Sequence, residues 1–327
     1  VESLAGDASF RRYHRIYVGD EQFLLMDAPP DKEDVVPFVT VANVLSTVVN
    51  VPDILQQDLT QGFLLLQDFG TVEFAHLIAD TQFGDKQQHY TKALQTLADI
   101  QKLDVTSEQV SAHIAPYSDE KLAVEMNLFS EWFLPYIGVE LNKDEEMLWQ
   151  TLKQTIITKV LAQPKVVVHR DYHSRNLMQD KNSEHLGVID FQDALVGAYS
   201  YDLVSLVRDA YIDFDEAWVH ETIRQFYDLK ELADTLSLEQ FIADVNVMGV
   251  QRHLKVLGIF VRLYQRDGKA RYLDNIPKVM TDLCVELNWL CQYETKSEDK
   301  AVFEAFTAWL TTQVLPAYHT KFEKVVS

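Results

Sequence analysis

Cysteine is nearly absent from this chain of 327 residues, which has only Cys284 and Cys291. Two thiols cannot build the disulfide framework of a small secreted domain. Seven apart in a helical stretch, they read as buried thiols, so a reducing cytoplasm is expected. Long apolar runs are missing as well. No stretch approaches the ~20 residues that cross a bilayer, and no membrane partner is expected. Basic residues are few, with 29 Lys and Arg against 50 Asp and Glu, a formal charge of -21. Such a surface repels phosphate backbones and excludes nucleic acid as a partner. A cationic substrate would suit it, but solubility explains the acidity equally well. There is no internal repeat and no low-complexity segment. The 47% hydrophobic and 24% charged residues are the composition of a globular protein with a sizeable core. A monomer is expected.

What is present is concentrated between Val166 and Asp193. V-V-V-H-R-D-Y-H-S-R-N-L-M is followed by a polar, turn-prone break and then L-G-V-I-D-F-Q-D. Val166–Val168 and Leu186–Ile189 are apolar runs, rich in β-branched residues, that read as short buried strands. A carboxylate follows each run, Asp171 and then Asp190, with Asn176 between them. His169-Arg170-Asp171 with Asn176 five residues on fits the protein-kinase catalytic loop. Asp190-Phe191 fits the start of the metal-binding D-F-G. Phosphoryl transfer needs a carboxylate to orient the acceptor hydroxyl and take its proton, and oxygen ligands to hold Mg²⁺ against a triphosphate. Asp171 is the candidate base; Asn176 and Asp190 are the candidate metal ligands. The plain alternative is an Asp and an Asn shaping a turn after a strand.

With a kinase-type loop, a strand-rich start and a helical remainder, an α+β, bilobal, protein-kinase-like fold is expected. Residues 1–67 form a small strand-rich N-lobe that covers the nucleotide, and residues 68–327 a larger, mainly helical C-lobe for catalysis and substrate. Phe10–Val18 and Phe23–Met26 read as a hairpin about Gly19-Asp20. Gly6-Asp7-Ala8-Ser9-Phe10 precedes it where a kinase keeps its phosphate-covering loop, and Ser9 with nearby N–H groups is a candidate to cap phosphate oxygens. Asp34–Val48 has helical spacing, and Phe63–Gln67 reads as a strand. Gln67 and Asp68 then stand where a kinase hinge reads the nucleotide base. Helical stripes begin at Gln87 and recur at Leu122–Phe133 and Met147–Val160. After the site, helices are expected over Tyr201–Tyr211, Phe241–Tyr264, Pro277–Leu290 and Lys300–Leu315.

His173, two residues after Asp171, turns the comparison away from protein kinases, which keep lysine or arginine near that place. H-x-D-x-H-x-x-N resembles the aminoglycoside phosphotransferase and choline kinase branch of the fold. G-D-A-S-F-R-R-Y, L-M-D-A-P-P, G-F-L-L-L-Q-D-F-G, G-V-I-D-F-Q-D-A and Y-D-L-V-S-L-V-R-D-A-Y are similar to one subgroup within it. That subgroup is the bacterial anomeric kinases for N-acetylmuramate and N-acetylglucosamine of cell-wall recycling. The resemblance covers residues 5 to about 280. It implies transfer of the γ-phosphoryl group of ATP, with Mg²⁺, to the C1 hydroxyl of a reducing amino sugar. It also implies that Asp202, in Y-D-L, braces the catalytic loop, and that His169 and His173 support it.

Two departures from kinases at large follow. Met26 stands where the third strand should carry a phosphate-binding lysine, and Gln192 replaces the glycine of D-F-G. A relocated cation is therefore expected among Arg11, Arg12 and Lys32. For the sugar, Asp193, Arg208, Arg252 and Lys255 are the candidate contacts, because an arginine can grip a lactyl carboxylate bidentately. Two alternatives remain at this stage. One is a kinase for another small hydroxyl compound, such as an aminoglycoside or a choline-like alcohol. The other is a nucleotide-binding pseudokinase, which Met26 favours and the intact Asp171, Asn176 and Asp190 oppose.

Overall fold

The computed structural model describes residues 1–4, 10–79 and 85–322. The chain divides into two compact units, residues 1–116 with 166–196, and residues 117–165 with 197–327. The first is built on an antiparallel five-stranded sheet of β1 (Glu2–Ser3), β2 (Arg12–Val18), β3 (Glu21–Asp27), β4 (Ile54–Asp58) and β5 (Phe63–Gln67), in the order β1-β2-β3-β5-β4. The hairpin β2–β3 turns at Gly19, whose φ of 62° lies in the left-handed region that glycine enters without penalty. Its register sets Tyr13 opposite Met26 and Arg15 opposite Leu24; β5 continues the rows with Leu64 beside Met26 and Leu66 beside Leu24.

Between β3 and β4 runs α1 (Val36–Leu45). The Asp34 carboxylate accepts the Val36 N–H at 2.9 Å, Pro37 fits the first turn, and Phe38, Val41, Ala42 and Leu45 are buried on one side. This helix is shorter at both ends than its apolar spacing suggests. Strand β4 carries no alternation in its sequence, I-L-Q-Q-D, and its pairing with β5 is broken by an irregularity at Ile54/Gln56. Neighbour pairing places it, not its own residues. Helices α2 (Phe74–Ala79) and α3 (Lys86–Ile100) follow. Further along come β6 (Lys165–Val168), the hairpin of β7 (Leu177–Gln179) and β8 (Leu186–Val188), and β9 (Leu195–Ala198), which pairs with β6. Gly187 in β8 allows a close approach: a Cβ there would meet the Phe69 ring at 2.4 Å.

The second unit is helical. Its axis is the 30-residue helix Leu238–Asp267, against which Asp119–Leu128, Lys143–Ala162, Tyr201–Val207 and Ile276–Tyr293 pack. From Val245 to Gly258 every residue of the long helix is buried, the mark of a helix enclosed on all sides. Polar residues in such a helix need partners, and a cluster supplies them. Arg208 meets Glu216 at 2.7 Å, Asp282 at 3.3 Å and Glu286 at 3.2 Å. Lys278 meets Asp282 at 2.5 Å, and His253 Nδ1 lies 2.7 Å from Glu286 Oε2. Gly249 makes room for this, since a Cβ there would stand 1.9 Å from Glu286 Oε1. Cys284 and Cys291 are free thiols on Ile276–Tyr293, half-buried where full burial was expected, because both sit on the flanks of that helix. Among the described residues no helix is long and apolar enough to cross a membrane.

Burial pushes Glu286 up to about 8, and burial pushes His253 down to about 3. Burial thus favours a protonated Glu286, which can donate to His253 Nδ1. An unfolded Glu286 would release its proton near the ordinary 4.5. Between those values the folded chain binds one more proton than the unfolded chain, and stability falls as pH rises. His253 acts in the opposite sense, but only below its ordinary 6.5. From about pH 6.5 to 8 the wild-type Tm should therefore fall relative to Glu286→Gln, which keeps a donor to His253 and does not titrate. Parallel Tm profiles over that range would show that Glu286 is ionised throughout.

Candidate active site

Strand β6 leads into His169, which is 1% exposed. Its Nε2 donates to Ile189 O at 2.9 Å, so Nδ1 is left to accept the Asp171 N–H at 3.3 Å. Arg170 between them has a φ of 78°, and Asp190 has a φ of 62°. Left-handed backbone at a non-glycine residue costs roughly 1–3 kcal/mol and persists only where its surroundings over-determine it. Those surroundings are a short list of hydrogen bonds. Asp171 O accepts from His173 N at 3.0 Å and from Asn176 Nδ2 at 2.9 Å. The hairpin register Leu177↔Val188 brings the residues just outside it together, and Ile189 N donates to Asn176 O at 3.1 Å. Asn176 Nδ2 thereby reaches Asp190 Oδ2 at 3.4 Å, across 14 residues of sequence. With both amide hydrogens directed at protein oxygens, the amide oxygen of Asn176 is the atom left for a ligand. One amide oxygen and one carboxylate are a hard-oxygen donor set that fits Mg²⁺.

Asn176, Ile189 and Asp190 border a cavity of about 470 Å³ contained within the first unit, and Asp171 is not among its lining residues. Leu24 and Leu66 of the sheet, with Phe38, Phe69, Met178, Ile189 and Phe191, make much of its lining apolar. Phe191 is fully buried and packs on Phe38 of α1, ring centroids 4.8 Å apart. Three cations also line it, Arg11, Arg15 and Arg175, in a protein of net charge -21. The first two follow from strand alternation: Arg11, Tyr13 and Arg15 are every second residue on β2 and just before it, and share the sheet face of Met26. Met26 itself is completely buried. Burial pushes the Tyr13 phenol up to about 12, against the opposing pull of the Arg11 guanidinium beside it, with the charge of Asp190 adding to the rise. The alternation in R-R-Y-H-R could have picked out Tyr13 and Arg15, which sequence reasoning missed.

Of the three expected cations, Arg11 alone lines this cavity. Arg12 points to the other face, paired with Asp27 at 2.7 Å and 62% exposed. Lys32 lies over the Phe10 ring at 5.1 Å and lines a second, smaller pocket with Asp31, Glu33 and Asp34. Ser9 lies outside the described residues. Gln67 lines the main cavity, its side-chain oxygen accepting from Asp53 N at 3.3 Å. Asp68 does not line it. Its carboxylate accepts from Arg15 Nε at 2.5 Å, Gln22 Nε2 at 2.7 Å and Gly70 N at 2.8 Å. Burial works to raise the Asp68 carboxyl, but the hydrogen bonds from Arg15, Gly70 and Gln22 overcome it and hold it below its ordinary value.

The Asp193 carboxylate is within 3.5 Å of Gln192 Nε2, and Arg170 donates to its carbonyl at 3.4 Å. His173 lies half-buried, 3.5 Å from Asn176 Nδ2. The other candidates lie in the second unit, engaged there. Asp202 is buried in Tyr201–Val207, and Arg208 belongs to the carboxylate cluster. Arg252 Nε donates to Ser205 Oγ at 2.6 Å. Lys255 donates to Tyr201 Oη at 3.0 Å and pairs with Glu125 at 3.3 Å.

Comparison with known proteins agrees with this geometry. The phosphotransferase enzyme family matches residues 1–235. An N-acetylmuramate/N-acetylglucosamine kinase of Pseudomonas aeruginosa is 41% identical over 280 residues, 84% of this chain and 80% of that protein. A protein of the same description from Neisseria meningitidis is 41% identical over 284 residues, 85% of this chain and 83% of that one. Among solved structures, the GDP complex of aminoglycoside 2'-phosphotransferase-IIIa shares the fold with a TM-score of 0.61 at 17% identity, covering 86% of this chain and 92% of that one. The α+β fold, the loop around Asp171 and these likenesses place the chain in the phosphotransferase enzyme family.

Proposed function

We propose that this protein is an ATP-dependent amino-sugar kinase of peptidoglycan recycling, acting on the anomeric hydroxyl of N-acetylmuramate and N-acetylglucosamine. The observation that carries the reading is Asn176, bonded to the Asp171 carbonyl and reaching Asp190, beside a cavity that Asn176 and Asp190 line together with arginines, in a chain 41% identical to kinases of those two sugars. The apolar surfaces of Leu24, Leu66, Met178 and Ile189 would take the nucleotide base, next to Gln67. Arg11 would hold the triphosphate in place of the absent strand lysine. Asn176 and Asp190 would hold Mg²⁺, which when bound draws off phosphate charge.

Asp171 then orients the acceptor hydroxyl and takes its proton. The acceptor oxygen forms its bond to the γ-phosphorus as the bond to the bridging oxygen breaks, and ADP leaves with that electron pair. A hemiacetal hydroxyl is more acidic than an ordinary alcohol, which suits a carboxylate base. His169 and His173 would support the loop without touching the reacting atoms. Asp193 remains the proposed contact for the sugar.

Asp171→Asn should lower kcat by about 10²–10⁴-fold and leave nucleotide affinity near that of the parent, because the base acts on the acceptor in the transition state. Turnover near the wild-type rate would remove Asp171 from the chemistry. Asp190→Ala should lose Mg²⁺-dependent nucleotide binding together with turnover. Retention of that binding would mean another residue is the principal ligand. For the acceptor atom, both free sugars should be phosphorylated and their 1-O-methyl glycosides should not. Equal phosphorylation of the glycosides would move the chemistry to another carbon.

A further inference from the structure

Kinases at large hold their strand lysine with a glutamate from the helix between the third and fourth strands. Both partners are missing from those positions here. Met26 is the buried strand residue, and Val36–Leu45, V-P-F-V-T-V-A-N-V-L, has no acidic side chain. An ion pair nevertheless stands beside the same sheet face. Arg11 Nη2 lies 3.4 Å from Glu33 Oε2, their side chains only 10% and 15% exposed. The other oxygen of Glu33 accepts the N–H of Phe10 at 2.9 Å. One carboxylate thus holds two successive residues at the entrance to β2, the guanidinium of one and the backbone of the other. Arg11 lies two residues before Tyr13, which pairs directly with Met26, so the cation has moved one step along the neighbouring strand.

We propose that Glu33 is a positioning residue that holds Arg11 toward the nucleotide phosphates, the pair Arg11–Glu33 doing in this chain what the strand lysine and helix glutamate do in other kinases. The inference rests on the reading of the cavity as a triphosphate site. A long, rotamer-rich side chain binds phosphate better when it is already fixed, because less freedom is lost on binding. Glu33 makes that contribution through Arg11 and never touches substrate. Its two oxygens also separate its duties. Glu33→Gln keeps an acceptor for the Phe10 N–H and removes the charge facing Arg11, whereas Glu33→Ala removes both.

The test is a double-mutant cycle on ATP, with KM and kcat measured for the parent, Arg11→Ala, Glu33→Ala, Glu33→Gln and the Arg11/Glu33 double alanine variant, each with its Tm. Loss of the phosphate contact in Arg11→Ala should raise the KM for ATP by roughly tenfold or more. Glu33→Ala and Glu33→Gln should raise it by a smaller factor, with the KM for the sugar unchanged. The double variant should be no worse than Arg11→Ala alone, since Glu33 has nothing left to position. If Glu33→Ala fails to fold, Glu33→Gln carries the same comparison. A parent-like KM for ATP in both Glu33 variants, or effects that multiply in the double variant, would overturn the positioning role while leaving Arg11 as the phosphate contact. An unchanged KM for ATP in Arg11→Ala would remove Arg11 from the triphosphate site, and this proposal with it.

Discussion

The peptide group of Ile189 is the joint on which the site depends. Its N–H donates to Asn176 O and its C=O accepts from His169 Nε2, so one residue ties both ends of the catalytic loop to the strand that delivers Asp190. Neither contact requires a particular side chain at position 189. What they require is the register of the hairpin β7–β8, Leu177 opposite Val188. A slip of one residue would turn the alternate face of the strand outward and carry Asp190 away from Asn176. That register is held from outside as well. Val188 N donates to Asn50 O, Gln179 N to Val72 O, and Gly187 leaves room for the Phe69 ring. The positive φ of Arg170 and of Asp190 is stored against this frame.

Electrostatics within the first unit run against the composition of the whole. A chain of charge -21 places Arg11, Arg15 and Arg175 around one cavity. Arg15 is committed to Asp68, and the carboxylate in turn caps the N–H of Gly70. This charge pair is buried, and removing either member would strand the other, so it stiffens the junction after β5 more than it adds net stability. Arg11 is committed to Glu33 in a more accessible setting. The expectation that Asp68 meets the nucleotide came from its place after a strand; the buried guanidinium two strands away, which claims it, has no signature in a linear reading.

Legibility in the sequence followed the range of the interactions. Strand β5, the β2–β3 hairpin and the long helices stand nearly where their periodicity puts them, because each is decided by its own residues. Strand β4 and the three-residue β7 were missed, because pairing with neighbours and not composition makes them strands. That Asn176 would meet Asp190 and the backbone of Asp171 was readable because the loop and hairpin between them are short. Glu33, Tyr13 and Arg15 were not, although alternation along β2 would have set Arg11, Tyr13 and Arg15 on one face. The arginines and lysine expected to grip a carboxylate, Arg208, Arg252 and Lys255, are spaced along helices as surface charges would be, and their burial among Glu216, Asp282, Glu286, Ser205 and Glu125 is a tertiary fact.

The proposed chemistry is a single direct transfer of a phosphoryl group from nucleotide to sugar, with Asp171 as base and no phosphorylated side chain between. ATP made chiral at its γ-phosphorus with oxygen isotopes, used with N-acetylmuramate, reads that claim at the reacting atom. The isolated sugar 1-phosphate should carry the label with inverted configuration, the outcome of one in-line displacement. Retention of configuration, which takes two displacements through a phospho-enzyme, or absence of the label from the sugar, would contradict it.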